Sequence, residues 1–111
     1  MENALLNAIK EFSDARWVRK DLVQSDQMVV KMMCYEPGQQ TPLHAHKRQD
    51  EVFLFIEGHG TMVVGEETIR VEPTSMVFVP ATVPHSVKPD DDSRLVMFYV
   101  KAPGSDRPPK A

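Results

Sequence analysis

From residue 17 onward, short apolar runs alternate with turn residues. Runs rich in β-branched and aromatic side chains predict strands at 17–20, 27–35, 41–46, 51–56, 61–64, 68–71, 76–79, 84–87 and 94–101. Turn formers separate them: Pro37-Gly38, Glu57-Gly58, Gly65-Glu66, Glu72-Pro73, Pro80 to Thr82, and Pro89 to Ser93. Many short strands with few helices predict an antiparallel sandwich or barrel. Only the start of the chain has another texture. Leu5, Leu6, Ile9 and Phe12 recur at helical spacing within residues 2–14, which predicts a short helix with one apolar stripe lying on the domain. The expected organisation is a helix over 1–14, a barrel over 15–102, and a flexible tail over 103–111. The tail's prolines, glycine and polar residues place it outside the core.

A length of 111 residues holds one domain, and 41% apolar with 26% charged residues is ordinary for a globular protein. The net charge is −3, and the basic residues (Arg16, Arg19, Lys20, Lys31, Lys47, Arg48 and Arg70 among them) are scattered. No basic stripe tracks a phosphate backbone, so nucleic acid is not an expected partner. A single cysteine, Cys34, allows no internal disulfide and reads as a buried small hydrophobe. No stretch reads as a membrane span or a signal peptide, so no membrane partner is expected and the expected location is cytoplasmic. The acidic run at 90–92 reads as a solvated loop, and His59, in the Gly58-His59-Gly60 turn, as a surface residue.

The chemistry concentrates between Gly38 and Gly58. His44 and His46 stand two residues apart, which on a strand turns both imidazoles to one face. Glu51 opens the next apolar run and can lie opposite them on an antiparallel neighbour. His85 opens a later strand, and a closed sheet brings it to the same interior. Two or three imidazoles with a carboxylate suit a transition metal. A His-x-His pair on a solvent-facing strand is the alternative on these residues alone.

The spacing resembles the cupin family. The first cupin motif reads Gly, five residues, His-x-His, three or four residues, Glu, six residues, Gly; here Gly38, His44, His46, Glu51 and Gly58 meet every fixed position. The second motif keeps Pro80 and His85 but carries Thr74 and Thr82 where glycines are usual, and Pro89 where Asn is usual. The resemblance covers about residues 29–100. It implies an all-β fold, a double-stranded β-helix or jelly-roll. It also implies one divalent transition-metal ion (Fe, Mn, Ni, Zn or Cu) bound by His44, His46, Glu51 and His85, with open coordination positions for a small-molecule ligand or substrate.

Two functions follow as expectations. One is a metal-dependent enzyme acting on a small organic molecule; the family admits dioxygenases, isomerases, decarboxylases, cyclases and lyases. The lean is to a dioxygenase, an oxidoreductase, because the sequence reveals no second acid–base group in the pocket. The other is a non-catalytic module that binds or senses a small ligand. A DNA-binding regulator is disfavoured, since no helix-turn-helix segment accompanies the barrel. Strand parity puts Phe53 and Phe55 on the face of Glu51, with Val52, Leu54 and Ile56 opposite. That apolar outer face predicts a homodimer. If Lys31 faces solvent, strand parity points Val30, Met32 and Cys34 into the barrel. The facing of Tyr99, Arg94 and Cys34 relative to the pocket is left open.

Overall fold

The computed structural model describes residues 3–108. Eight strands follow a single helical turn, α1 (Leu6–Ile9): β1 (Val18–Gln24), β2 (Val29–Tyr35), β3 (Asp50–Glu57), β4 (Gly60–Val64), β5 (Glu67–Val71), β6 (Met76–Val79), β7 (His85–Pro89) and β8 (Leu95–Ala102). They form two antiparallel sheets, one of order β1-β2-β8-β3-β6 and one of order β5-β4-β7. This is the jelly-roll that the strand pattern and motif spacing predict.

The core lies between the sheets. Phe53, Phe55 and Met97 from the larger sheet meet Met62, Val71 and Val87 from the smaller. Burying each such side chain contributes roughly 1.5–3 kcal/mol. In β3 the alternation is clean: Glu51, Phe53 and Phe55 are buried, while Val52, Leu54 and Ile56 are half-buried on the other face. Gly58 closes this strand at φ 78°, where a Cβ would lie 1.7 Å from the Arg94 carbonyl oxygen. Only glycine fits that turn.

The chain departs from its sequence pattern in four places. The helix expected over residues 2–14 is one turn; residue 2 lies outside the described residues. Leu5 at its N-cap offers no side-chain cap, and a single turn barely repays the nucleation cost of a helix. Leu6, Ile9 and Phe12 nevertheless pack on Met32, Cys34 and Val96, so an irregular segment makes the contacts expected of a helix.

Those contacts bring the second correction. Met32 and Cys34 face outward beneath the N-terminal segment, while Met33 and Tyr35 belong to the core between the sheets. Lys31 does not mark a solvent face. Its side chain is 19% exposed and pairs with Asp21 at 3.4 Å. Third, the strand expected over 41–46 shrinks to one isolated bridge between His44 and His85, and Pro42 has no N–H to give a ladder. Fourth, the start of the tail is tied down. Gly104 N–H donates to the Asp26 carbonyl at 3.0 Å, and the Gln49 side-chain amide donates to the Pro103 carbonyl at 2.9 Å. Residues 109–111 lie outside the described residues.

Candidate metal centre and pocket

His44 and His46 sit on the irregular segment before β3, Glu51 at the start of β3, and His85 at the start of β7. The three imidazoles converge. Ring centroids lie 4.4 Å apart for His44 and His85, 5.4 Å for His44 and His46, and 5.8 Å for His46 and His85. One ligand atom from each histidine lies within 4.8 Å of the others, a spacing one ion can bridge. Glu51 joins this group through two of its members. Its Oε1 lies 2.9 Å from His46 Nε2 and 3.3 Å from His85 Nε2.

The ring orientations follow from the backbone. His44 Nδ1 lies 2.8 Å from the Pro42 carbonyl and His85 Nδ1 lies 3.0 Å from the Val83 carbonyl. A carbonyl only accepts, so each Nδ1 carries the proton and each Nε2 presents a lone pair. At His85 that lone pair meets Glu51 Oε1. Both atoms are buried, and neither has a hydrogen-bond partner among the described residues. Two acceptors 3.3 Å apart repel unless a cation or a proton stands between them.

The protonation tendencies reflect this. Burial pushes the His85 imidazole down, but the Glu51 carboxylate and the Val83 carbonyl outweigh it and leave its pKa raised. At His46 burial prevails over Glu51 and the pKa falls. A cation is favoured beside His85 and Glu51, and a neutral ring is favoured at His46.

The histidines open onto a cavity of about 280 Å³. Phe53, Met33, Met97 and Trp17 supply apolar wall; Tyr35, Tyr99, Arg19 and Lys101 supply polar groups. Of the residues left open by sequence, Tyr99 lines the cavity, and burial pushes its hydroxyl up to about 12, so it is a donor at neutral pH. Arg94 does not line it. Its guanidinium pairs with Glu36 at 2.5 Å and stacks over Phe12 at 4.2 Å. Phe55 packs in the core. Cys34 is buried, and desolvation raises its thiol pKa.

Sequence reasoning missed Lys101, Arg19, Trp17 and Tyr35 as pocket residues. In β8, Leu95, Val96 and Met97 are all buried, so the strand shows no polar face from which parity could be read. His59 is half-exposed, as expected of a surface residue. Its Nδ1 lies 2.8 Å from Asp90, whose carboxylate also takes both arms of Arg70 at 2.7 Å. His59, Asp90 and Asp92 form a second group with metal-ligand spacing, and Arg70 already occupies Asp90 there.

The fold and the clustered imidazoles together describe a small single-domain β-barrel with a possible histidine-based metal site. Residues 31–101 match the family model of the cupin domain, and the chain belongs to the cupin family. The structure of TT1209 from Thermus thermophilus superposes with a TM-score of 0.88 at 29% identity, covering 93% of this chain and 98% of that one. An RmlC-like cupin from Desulfovibrio desulfuricans superposes with a TM-score of 0.83 at 24% identity, covering 93% and 97%; this likeness is one of fold. Auxin-binding protein 5 of Zea mays is 30% identical over 67 residues, 52% of this chain and 44% of its own. The chain spans about half the length of the curated relatives it matches. Among the described residues no helix is long and apolar enough to cross a membrane.

Proposed function

We propose that the chain binds one divalent transition-metal ion through His44, His46, His85 and Glu51, and uses it on a small organic molecule held in the adjoining cavity. The observation that carries this reading is the buried, partnerless pair of Glu51 Oε1 and His85 Nε2 beside two further imidazoles. Three imidazoles and one carboxylate, without a thiolate, suit Fe, Mn, Ni, Zn or Cu. Such an ion supplies Lewis acidity toward an oxygen of a bound molecule. The chain's own groups do the rest. The Pro42 and Val83 carbonyls hold two rings in the ligating tautomer. Glu51 offsets part of the ion's charge. Phe53 and Met33 exclude water.

The expectation of an oxygenase rests on the want of a second acid–base group. Lys101 and Tyr99 in the cavity remove that ground, and acid–base chemistry on a metal-bound molecule becomes the better-supported enzyme class. A second reading, a ligand-binding module, is favoured by the likeness to Auxin-binding protein 5. Metal analysis of tag-free protein tests the common part of both readings. About one ion per chain is expected, and protein that holds none and takes none up from Mn²⁺ or Zn²⁺ would remove it.

We also infer a homodimer formed through the outer face of the larger sheet. Met76 and Phe78 on β6 are 60% and 53% exposed there, beside the half-buried Val52 and Leu54.

A further inference from the structure

Among the described residues lining the cavity, two cations, Arg19 and Lys101, face a single acid, Glu51. Register places Lys101 directly across from Glu51 on β3 and β8, yet Lys101 makes no ion pair among the described residues. Lys101 is half-buried, and its Nζ lies 5.4 Å from the centroid of the Tyr99 ring. Glu51 turns instead toward His46 and His85, and among the described residues it is the only acid lining the cavity.

The two cations next to Lys101 leave it no carboxylate either. Lys31 pairs with Asp21 at 3.4 Å, and Arg19 reaches the same Asp21 oxygen only at 4.0 Å. One acid thus serves two bases, and Lys101 stands as a third. Asp106, also near, spends its carboxylate on the backbone N–H groups of Lys47 and Arg48. A half-buried ammonium without a counter-ion is costly unless a ligand supplies one. Tyr35 stands in the cavity wall with its hydroxyl buried beside Thr41.

We propose that the cavity selects small organic monocarboxylates, with the carboxylate held by Lys101 and assisted by Arg19, and an apolar body lying against Phe53, Met33 and Trp17. The cavity, about 280 Å³, falls just below the usual range of ligand pockets, about 300–1,000 Å³, so the body is a single ring or a short alkyl chain. This deepens the metal-centre reading by naming the ligand class. It rests on that reading only for where the ligand's far end would point. Charge alone already favours an anion, and a bound divalent ion would strengthen the preference.

The test uses Trp17, the only tryptophan and a wall of the cavity, as a fluorescent reporter. Benzoate and hexanoate are titrated against their neutral amides, on chelator-treated and on Mn²⁺-loaded protein. Each acid is expected to bind at least about tenfold more tightly than its amide, the discrimination one charge-assisted hydrogen bond provides. Lys101→Met should erase that preference and Lys101→Arg should restore most of it, while Mn²⁺ affinity of Lys101→Met stays equal or improves. Amides that bind as well as the acids would overturn the inference, as would no binding by either acid or a preference that survives Lys101→Met. The two readings can fail separately. No Mn²⁺ uptake with an acid preference that follows Lys101 would sink the metal centre and leave the anion site. Mn²⁺ uptake with a preference indifferent to Lys101 would do the reverse.

Discussion

His44 and His85 pair backbone to backbone, N–H to carbonyl in both directions, at 3.1 and 2.8 Å. This isolated bridge joins two segments far apart in the sequence and sets two imidazoles 4.4 Å apart before any ion arrives. The main chain therefore pre-forms the site, and the fold should outlast its ligands. His44→Ala, His46→Ala and His85→Ala are each expected to weaken metal binding by about a hundredfold or more, beyond the loss of an outer partner. Glu51→Gln should weaken it less, since an amide oxygen still coordinates. Circular dichroism should show all four variants folded. Affinity should also fall on acidification, because protons compete for imidazole nitrogen, and the raised pKa of His85 brings the onset to higher pH than for an ordinary imidazole. Unchanged affinity in His85→Ala would shrink the site to His44, His46 and Glu51.

Thr74 and Thr82 occupy the left-handed region at φ 76° and 77°, the two positions where the family's second motif has glycine. The backbone has kept the glycine conformation and accepted a β-branched side chain. Such residues cost about 1–3 kcal/mol each. Both N–H groups are used: Thr74 donates to the Phe55 carbonyl at 2.8 Å and Thr82 to that of His46 at 2.6 Å. Thr82→Gly and Thr74→Gly are expected to stabilise by roughly 0.5–2 kcal/mol each, the strain relieved less the entropy glycine adds to the unfolded chain. A thermal melt reads this as a rise of several degrees. If neither variant melts higher, the threonines carry no strain.

These positions show what was legible in the sequence and what was not. The first motif is a local string, and its spacing over one short stretch of chain brings His44, His46 and Glu51 together wherever the fold forms. Thr74 and Thr82 were readable as departures because Pro80 and His85 fixed the frame. The facing of β2 was not, since Met32 to Tyr35 are buried on both faces and Lys31 lies on the inner one. Lys101 was hidden for the same reason: parity needs a polar face to count from. The N-terminal stripe gave the right contacts and the wrong conformation, because apolar spacing records what must be covered rather than how.

Asp106 ties the tail to the site. Its carboxylate accepts from the N–H of Lys47 at 3.1 Å and of Arg48 at 2.6 Å, in the loop between His46 and Glu51. These two donors hold its pKa below the ordinary carboxylate value. A depressed folded pKa stabilises above the unfolded value, about 3.9, and that contribution is lost as pH falls through the folded value. Protection of the Lys47 and Arg48 amides against hydrogen exchange should therefore drop on acidification below about pH 4. In Asp106→Ala it should be low at every pH. Protection that ignores both the variant and the pH would show that the loop holds itself.

The outer face of the larger sheet is covered at one end only. Leu6, Ile9 and Phe12 lie over Met32, Cys34, Val96 and Ile56, so the chain shields that end itself. At the other end, register lines up Phe78, Val52, Val100 and Val30 across four strands, and Met76 with Leu54 in the next row. No described segment lies over Phe78 and Met76, and β6 is also a sheet edge, with free backbone groups beside the apolar row. A second copy applied by a two-fold axis covers both features at once, and a stable pair needs about 800 Å² from each partner. Light scattering is expected to give twice the chain mass at micromolar concentration. Phe78→Glu should yield a folded monomer, because a charge at the centre of an apolar interface is left unpaired and desolvated. A wild-type monomer at that concentration would rule the pair out, and would leave Phe78 and Met76 as exposed apolar residues that the N-terminal segment does not reach.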